Sequence, residues 1–375
     1  MAEAKDLKVV PPVLMERVEA LQASMNEYAT ELVVVGPTTN MRYLTGYHAM
    51  AVERITVLLV TRDGVAMVMP YFDADEFRDA TGLDAVFEWT DKQGPAEAID
   101  QAFGALGLSG TKVIAAVDDE LRFDFFTRLR DRLADQPRLA SELLGPLRLS
   151  KTAQEQELIK RAGELVSHGI DTALDHARLG MTELELKRTI EDALWDGGAE
   201  SVDFVLVQAG ANSAVGHHRA GDAELRKGEP VLIDIAARFD GYFADITQQV
   251  FLGRPPQDYV DAYELVVTAQ EEGVRAARSG ASAGDVHRAA TGVIEAAGLA
   301  EWTGPRTGHG IGLDVHEMPS VIDGDETELV PGAVITVEPG VYFPGKFGIR
   351  IEDTVIVTDG NPQRVTRGAR PLFSK

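Results

Sequence analysis

Two aspartates in the middle of the chain have the spacing of a buried pair on one β-hairpin. The β-rich segments 231–239 and 242–247 flank Asp240-Gly241, a dipeptide that strongly favours a two-residue turn. Counting back from this turn makes Asp234 and Asp245 diagonal neighbours on one face. An edge hairpin with both carboxylates in water is the alternative. The apolar run before Asp234 favours burial, and two buried carboxylates repel each other unless a cation lies between them.

A second acidic pair, Glu338 and Glu352, lies further along the chain. Both glutamates lie in apolar, β-rich runs, and a glutamate is rarely buried without a partner. A three-residue loop at 344–346 would place them opposite each other. Arg350 would share their face, because side chains two residues apart on a strand point the same way.

Histidines occur in two loop-like segments. His309 lies among three glycines, and His316 and Glu317 follow it. Glycine lets the backbone approach a ligand closely. His217 and His218 form a pair in an earlier polar segment. An incidental histidine in a flexible loop remains the alternative in both places.

The predicted ligand set is rich in oxygen with one imidazole, which suits Mn, Co, Fe or Zn. Two such ions held close together share a bridging water, lower its pKa and polarise a substrate carbonyl. The chemistry indicated is hydrolysis of a stable bond such as an amide.

The elements that must position these residues form two predicted domains, 1–145 and 146–375, with the boundary at Gly145-Pro146. The first alternates helices and strands, which indicates a sheet covered by helices. The second repeats one coarse pattern, in which two helices lead into strands and a hairpin that carries two carboxylates. Capping boxes at Thr152–Glu155 and Thr182–Glu185 predict where two of its helices begin. The predicted helices are 13–28, 152–179, 182–196, 257–279 and 283–297, and the predicted strands are 32–35, 55–60, 65–69, 113–117, 203–208, 231–239, 242–252, 334–338 and 348–357.

The composition excludes several functions. The 375-residue chain has a formal net charge of −24, which disfavours nucleic acid and anionic membranes as partners. It has no cysteine and so no disulfide, thiolate zinc site or cysteine nucleophile. No apolar run is long enough to span a bilayer, and the N-terminal residues lack the pattern of a signal peptide. We expect a cytoplasmic enzyme.

The order of these residues resembles the pita-bread metallopeptidases, which are related to creatinase and methionine aminopeptidase. Within them it is similar to the branch of Xaa-Pro dipeptidase (prolidase) and aminopeptidase P. The resemblance covers the whole chain, and its motifs are Asn40–Tyr47, Leu232–Asp234, Gly241–Thr247, Gly308–Gly312, Val315–Glu317, Val337–Gly340 and Arg350–Asp353. It implies an α/β fold with a creatinase-like N-terminal domain and a C-terminal pita-bread α+β domain with a pseudo-twofold repeat.

The resemblance implies two divalent metal ions per subunit, with Mn expected first and Co or Zn also possible. Asp234 would chelate one ion, and Asp245 and Glu352 would bridge both. His309 and Glu338 would hold the second ion, and Glu338 would also take a proton from the bridging water.

Three further site residues follow from the resemblance. His217 would contact the proline side of the substrate, and His316 would stabilise the tetrahedral intermediate. Arg350 would orient Asp234 or meet a substrate carboxylate.

The function implied is hydrolysis of Xaa-Pro bonds, in a dipeptide as in prolidase. The alternatives are an aminopeptidase P acting on longer peptides, a metal-independent C–N hydrolase like creatinase, and a non-enzymatic binding module. The last two tend to lose metal ligands, whereas all five candidates stand here. The resemblance also implies a homodimer in which the N-terminal domain shapes the site, with Tyr47 or His48 either reaching the partner's site or serving as ordinary loop residues.

Two positions depart from the family's pattern. Gln248 stands where many relatives have arginine. Ser320 stands where several prolidases have an arginine that binds the free C-terminal carboxylate of the substrate. His218 and Arg219 are possible substitutes for that arginine.

Overall fold

The computed structural model describes residues 12–110, 112–216, 218–367 and 373–374. It divides into two compact units, Met1–Arg148 and Leu149–Lys375. Within the described ranges, no helix is both long and apolar enough to cross a membrane.

The first unit is a mixed sheet with helices. The strands β1–β6 hydrogen-bond in the order β4-β3-β2-β1-β5-β6, with β2 antiparallel to both of its neighbours and the other pairs parallel. Their side chains are mostly apolar and buried, and they share one core with α4 and α5. The helices are α1 (Pro12–Glu27), α2 (Thr39–Thr45), α3 (Tyr71–Thr81), α4 (Ala96–Ala105), α5 (Phe123–Leu129) and α6 (Ser141–Leu149), and the strands are β1 (Leu32–Val35), β2 (Val57–Val60), β3 (Val65–Pro70), β4 (Val86–Trp89), β5 (Ala115–Val117) and β6 (Arg138–Leu139).

Asp118, directly after β5, organises the loop that follows β1. Its carboxylate accepts hydrogen bonds from Gly36 N, Thr38 Oγ1 and Asn40 Nδ2 at 3.2, 2.6 and 3.3 Å. Burial raises the pKa of Asp118, and these hydrogen bonds oppose the rise. The loop is short, because Thr38 caps a helix that already begins at Thr39.

Where the structure describes it, the second unit contains four long helices and three sheets. One sheet has the order β17-β9-β8-β7, another has β11-β10-β12-β15-β16, and β13 pairs with β14. The helices are α7 (Ala153–His176), α8 (Glu183–Asp196), α9 (Gln257–Ala276) and α10 (Ala283–Ala296), and the strands are β7 (Ser201–Ala209), β8 (Pro230–Phe239), β9 (Tyr242–Phe251), β10 (His309–Gly310), β11 (Glu317–Ser320), β12 (Val334–Val337), β13 (Gly340–Phe343), β14 (Phe347–Arg350), β15 (Asp353–Ile356), β16 (Gln363–Arg364) and β17 (Phe373–Ser374).

The helix starts in this unit follow the predicted chemistry. Both predicted capping boxes are present, with reciprocal side-chain bonds at Thr152 and Glu155 and at Thr182 and Glu185. The predicted end of α7 is wrong, because the helix stops at His176 rather than near Leu179. The backbone leaves the helix at Ala177, whose ψ is 125°, and Gly180 N then donates to Leu225 O at 2.9 Å.

The prediction of one strand over 348–357 is also wrong, because this segment forms two strands. β14 ends at Arg350 and β15 begins at Asp353. Between them Glu352 N donates to Thr247 O of β9 at 3.1 Å. The break thus ties this segment to the sheet that contains Asp234 and Asp245.

Candidate active site

The hairpin β8–β9 has the predicted turn and register. Asp240 and Gly241 have φ values of 44° and 92°, which is the geometry that a tight hairpin turn requires. Phe239 pairs with Tyr242, and counting back pairs Asp234 with Thr247 and Ala236 with Asp245. Asp234 and Asp245 are buried, with 6% and 3% of their surface exposed. The hairpin therefore presents two carboxylates on one face away from water.

Glu338 and Glu352 lie opposite each other at the break between two ladders. Val337 pairs with Asp353 on one side of the break, and Gly340 pairs with Arg350 on the other. Both ladders thus keep the register that a loop at 344–346 predicts. At the break Glu338 N donates to Thr307 O at 2.9 Å. Both glutamates leave the ladders, and their backbone amides bond to neighbouring segments.

His309 occupies a strand with no room beside it. A Cβ on Gly308 would lie 2.1 Å from Thr336 O, and one on Gly310 would lie 2.0 Å from Met318 O. The neighbouring glycines are therefore needed for close approach of the backbones. His309 Nδ1 lies 3.0 Å from Gly310 O, so Nδ1 carries the proton that it donates to this carbonyl. His309 Nε2 is left facing Glu338 Oε1 at 3.5 Å.

These elements bring the five predicted ligands into one cluster. Asp245, His309 and Glu352 each offer a ligand atom, and these atoms lie within 4.8 Å of one another. Glu338 adjoins His309. Asp234 Oδ2 lies 2.5 Å from Arg350 Nη2. The other oxygen of Asp234, Oδ1, is also buried.

The donor set fits a divalent cation. Asp234 Oδ1, Asp245 Oδ1 and Glu352 Oε1 are buried and have no hydrogen-bond partner among the residues described. Buried carboxylate oxygens normally have a partner, and a cation supplies one for several oxygens at once. Oxygen donors with one neutral imidazole nitrogen are ligands that Mn, Co, Fe and Zn accept.

The carboxylates of the cluster repel one another. Burial and the charges of neighbouring carboxylates raise the pKa of Asp245 and of Glu352 well above the usual range. Burial also raises the pKa of Glu338, although Arg350 and Arg306 oppose this. Burial lowers the pKa of His309 to about 4, so its imidazole is neutral at pH 7 and can serve as a ligand.

A polar network that the sequence did not reveal fixes these groups. Thr247 Oγ1 donates to Glu352 Oε2 at 2.6 Å and accepts from Arg350 Nε at 3.2 Å. Arg350 Nη1 donates to the Tyr342 hydroxyl at 3.1 Å. Thr336 Oγ1 accepts from His309 N at 3.0 Å. The motif around Asp245 contains Thr247, but only the fold shows its two partners.

His316 lies beside the cluster. Its ring centroid is 4.2 Å from that of His309, and its Nε2 lies 3.3 Å from Arg306 Nη2. Burial, His309 and Arg306 lower the pKa of His316 to about 4. Arg306 is a site residue that the sequence did not single out.

The other predicted histidines differ in placement. His217 lies outside the residues that the structure describes. His218 Nε2 contacts Glu183 Oε2 at 3.0 Å. Glu183 is fully buried and also accepts hydrogen bonds from Ala209 N, Asn212 Nδ2 and Gly221 N at 2.7, 2.9 and 3.1 Å. His218 therefore holds its own loop to the start of α8.

Tyr47 and His48 lie in the first unit. The Tyr47 ring packs edge-on against Phe77, with centroids 5.3 Å apart, and His48 is exposed.

The two units and this buried acidic cluster define the class of creatinase-like enzymes with a pita-bread catalytic unit. The model of metallopeptidase family M24 matches residues 157–359, and the model of the creatinase/prolidase N-terminal domain matches residues 17–149. The chain belongs to metallopeptidase family M24, which confirms the predicted resemblance and fold class. The protein is therefore a metallopeptidase, a class whose activity depends on a divalent metal.

Relatives cover nearly the whole chain. A probable dipeptidase PepE of Mycobacterium tuberculosis is 35% identical over 87% of this chain and 87% of its own. The Xaa-Pro dipeptidase of Pyrococcus furiosus is 29% identical over 96% of this chain and 100% of its own. The crystal structure of dipeptidase PepE from Mycobacterium ulcerans covers 99% of both chains with a TM-score of 0.90 and 33% identity.

Proposed function

We propose that this chain is a two-metal Xaa-Pro dipeptidase. The observation that carries the proposal is the set of three buried carboxylate oxygens without hydrogen-bond partners among the described residues, in a cluster with His309. Relatives named dipeptidase and Xaa-Pro dipeptidase support the substrate class.

The proposed ligands are the five clustered residues. Asp234 would hold one ion, His309 and Glu338 would hold the second, and Asp245 and Glu352 would supply further ligands in the same cluster. Mn is the first candidate, with Co or Zn as alternatives. When bound, two divalent cations supply a strong nucleophile from water at neutral pH and polarise the scissile carbonyl.

A side chain of the protein transfers the proton that the attacking water loses. We assign Glu338 as the base that takes a proton from the attacking water and passes it to the proline nitrogen. Glu338 lies in the cluster beside His309, and a carboxylate in reach of the attacking water can both accept and release a proton.

The remaining groups bind the substrate and orient the metal ligands. Arg350 fixes Asp234 through their ion pair. Neutral His316 donates a hydrogen bond to the oxyanion that forms from the carbonyl, and His217 contacts the proline ring. An Xaa-Pro bond has no N–H, whereas general peptidases bind the backbone N–H of their substrates. A site that binds the proline ring and the carbonyl does not need that contact.

A peptide panel tests this function. Enzyme stripped of metal and then supplied with Mn, Co or Zn should hydrolyse Ala-Pro, and Ala-Ala much more slowly. Stripped enzyme should be at least about 100-fold slower, because the cluster alone supplies no nucleophile. Elemental analysis should find two ions per chain.

The other outcomes distinguish the alternatives. Faster cleavage of Ala-Pro-Ala than of Ala-Pro would indicate an aminopeptidase P. Full activity after complete metal removal would indicate a creatinase-like enzyme. A chain that binds no metal and cleaves none of these peptides would contradict the proposal.

We also propose that the enzyme is a cytoplasmic homodimer whose first unit helps to shape the site. Large exposed apolar side chains in that unit fit a surface covered by a partner, among them Met50 and Tyr71, with 73% and 56% of their surface exposed.

A further inference from the structure

Arg306 is an exposed cation beside the acidic cluster. The next residue, Thr307, is buried, and its backbone is fixed by bonds to Val321 and Glu338. The Arg306 side chain is exposed, and its Nη2 lies 3.3 Å from His316 Nε2. The backbone at this position is thus held, and the side chain is open to solvent.

Arg306 forms no direct ion pair with a carboxylate among the described residues. Its guanidinium contacts the imidazole of His316, whereas other cations close to the site have acidic partners. Arg350 is paired with Asp234 and also bonds to Tyr342 and Thr247. Lys151 is paired with Glu317 at 2.6 Å. Of these three cations, Arg306 is the one available to an anion that enters from solvent.

The position of Arg306 suits one particular anion. In a dipeptide the free carboxylate lies one residue beyond the bond that breaks, and consecutive Cα atoms are about 3.8 Å apart. The group that binds this carboxylate must therefore lie next to the catalytic cluster. Arg306 does so, because it contacts His316, whose ring is 4.2 Å from that of His309.

We infer that Arg306 binds the free C-terminal carboxylate of the substrate and thereby makes the enzyme prefer dipeptides over longer peptides. This inference rests on the proposed function. A guanidinium presents a planar fork that matches both oxygens of a carboxylate. A longer peptide has an uncharged amide at that point and gains no ion pair. The preference is thus set by one side chain at the rim of the site.

The experiment compares Ala-Pro with Ala-Pro amide, which differ only in the charge at the C-terminus. The full-length, Mn-loaded wild-type enzyme should have the higher kcat/KM for the acid. In Arg306→Ala the ratio of kcat/KM for acid over amide should fall by roughly 10–100-fold, the value of one charged hydrogen-bonded contact. Arg306→Lys should keep an intermediate ratio, because it retains the charge without the fork.

A binding measurement gives a readout that does not depend on turnover. Calorimetry with the uncleavable reduced-amide analogue of Ala-Pro, as acid and as C-terminal amide, should show the same loss of discrimination in Arg306→Ala. The matched control is Arg288→Ala, since Arg288 is an exposed arginine of the same unit that pairs with Asp285 and Asp323. Its acid-to-amide ratio should equal that of the wild type.

Several results would overturn the inference. An equal loss on acid and amide in Arg306→Ala would show that Arg306 acts only by holding His316. Collapse of the ratio in Arg219→Ala, with Arg306→Ala unaffected, would assign the carboxylate to Arg219. If the wild-type enzyme cleaved Ala-Pro and Ala-Pro amide equally well, the inferred preference for a free carboxylate would be wrong. The proposed function would still stand. Wild-type enzyme that cleaves neither would refute both.

Discussion

At the residue scale, the carboxylate cluster makes the metal-free protein sensitive to pH. The pKa of Asp245 and of Glu352 is raised by burial and by the charges of neighbouring carboxylates. A carboxyl group whose pKa is higher in the folded chain than in the unfolded chain favours folding at low pH. That stabilisation is lost as the pH rises through the raised pKa, because the folded chain must then ionise groups that repel each other.

Asp245→Asn should therefore have opposite effects on the metal-free and metal-loaded proteins. At neutral pH the metal-free variant should be more stable than metal-free wild type by about 1–3 kcal/mol, a rise in Tm of a few degrees. The difference should shrink as the pH falls, because the wild-type cluster then takes up protons and the repulsion is relieved. Added Mn should raise the Tm of the wild type but scarcely that of the variant. Differential scanning fluorimetry with and without chelator measures these shifts.

The control for this variant is Asp192→Asn, which neutralises an exposed aspartate on α8. It should leave the metal response unchanged. A metal-free Asp245→Asn protein that is less stable than metal-free wild type at neutral pH would contradict the idea that repulsion dominates in the empty cluster.

At the scale of elements, a buried ion pair anchors the segment that carries His316. The side chains of Lys151 and Glu317 are 3% and 8% exposed. Glu317 is the first residue of β11 and directly follows His316. A Cβ on Gly312 would lie 2.6 Å from Glu317 Oε1, so the segment folds back tightly on the pair. Such pairs are a poor source of net stability, since desolvation offsets their attraction. We expect this one to fix the position of His316.

Variants of the pair separate stability from positioning. Lys151→Met should cost about 3–5 kcal/mol, because it leaves a buried carboxylate without its cation. The double variant Lys151→Met, Glu317→Gln should recover most of that stability. Its kcat should nevertheless stay about 10-fold or more below wild type, because His316 is no longer held in place. Thermal unfolding and steady-state kinetics measure the two effects.

Two results would oppose this interpretation. Wild-type kcat in the double variant would mean that the pair serves stability alone. A change confined to KM would mean that the segment contributes to substrate binding and not to the reacting geometry.

At the scale of the whole molecule, each unit has its own apolar core, and the acidic cluster lies wholly within the second unit. The proposed role of the first unit is exerted on a partner subunit. Light scattering should give a mass twice that of the 40.6-kDa chain.

Mixed dimers test whether the first unit contributes to the partner's site. His48→Ala and Glu338→Ala homodimers should both be impaired, the first through the partner's site and the second through its own. A mixed dimer of the two chains contains one site with both residues intact, and it should recover up to half of the wild-type activity. Wild-type activity of the His48→Ala homodimer would show that His48 is an ordinary loop residue. Absence of recovery in the mixed dimer would show that His48 acts in the site of its own chain. Either result would leave dimerisation itself to the mass measurement.

The sequence predicts well wherever local chemistry decides the structure. Asp240-Gly241 specifies a two-residue turn, and because side chains alternate along a strand, the turn fixes which face Asp234 and Asp245 share. The capping boxes at Thr152 and Thr182 likewise depend on residues within one helical turn. The register of Glu338 against Glu352 follows from the length of one loop.

Only the tertiary structure decides what joins these local pieces. Arg350 reaches Asp234 across 116 residues of sequence, and the segment after α7 is bonded to a distant residue, Leu225, through Gly180. Glu352 leaves its ladder to bond to Thr247, and Arg306 meets His316 only because two loops converge. Such contacts depend on how elements pack, which no local propensity encodes. The sequence by itself determined the acidic pairs and the local hairpin geometry, whereas packing decided that they form one cluster with His309 and which cation stands at its rim.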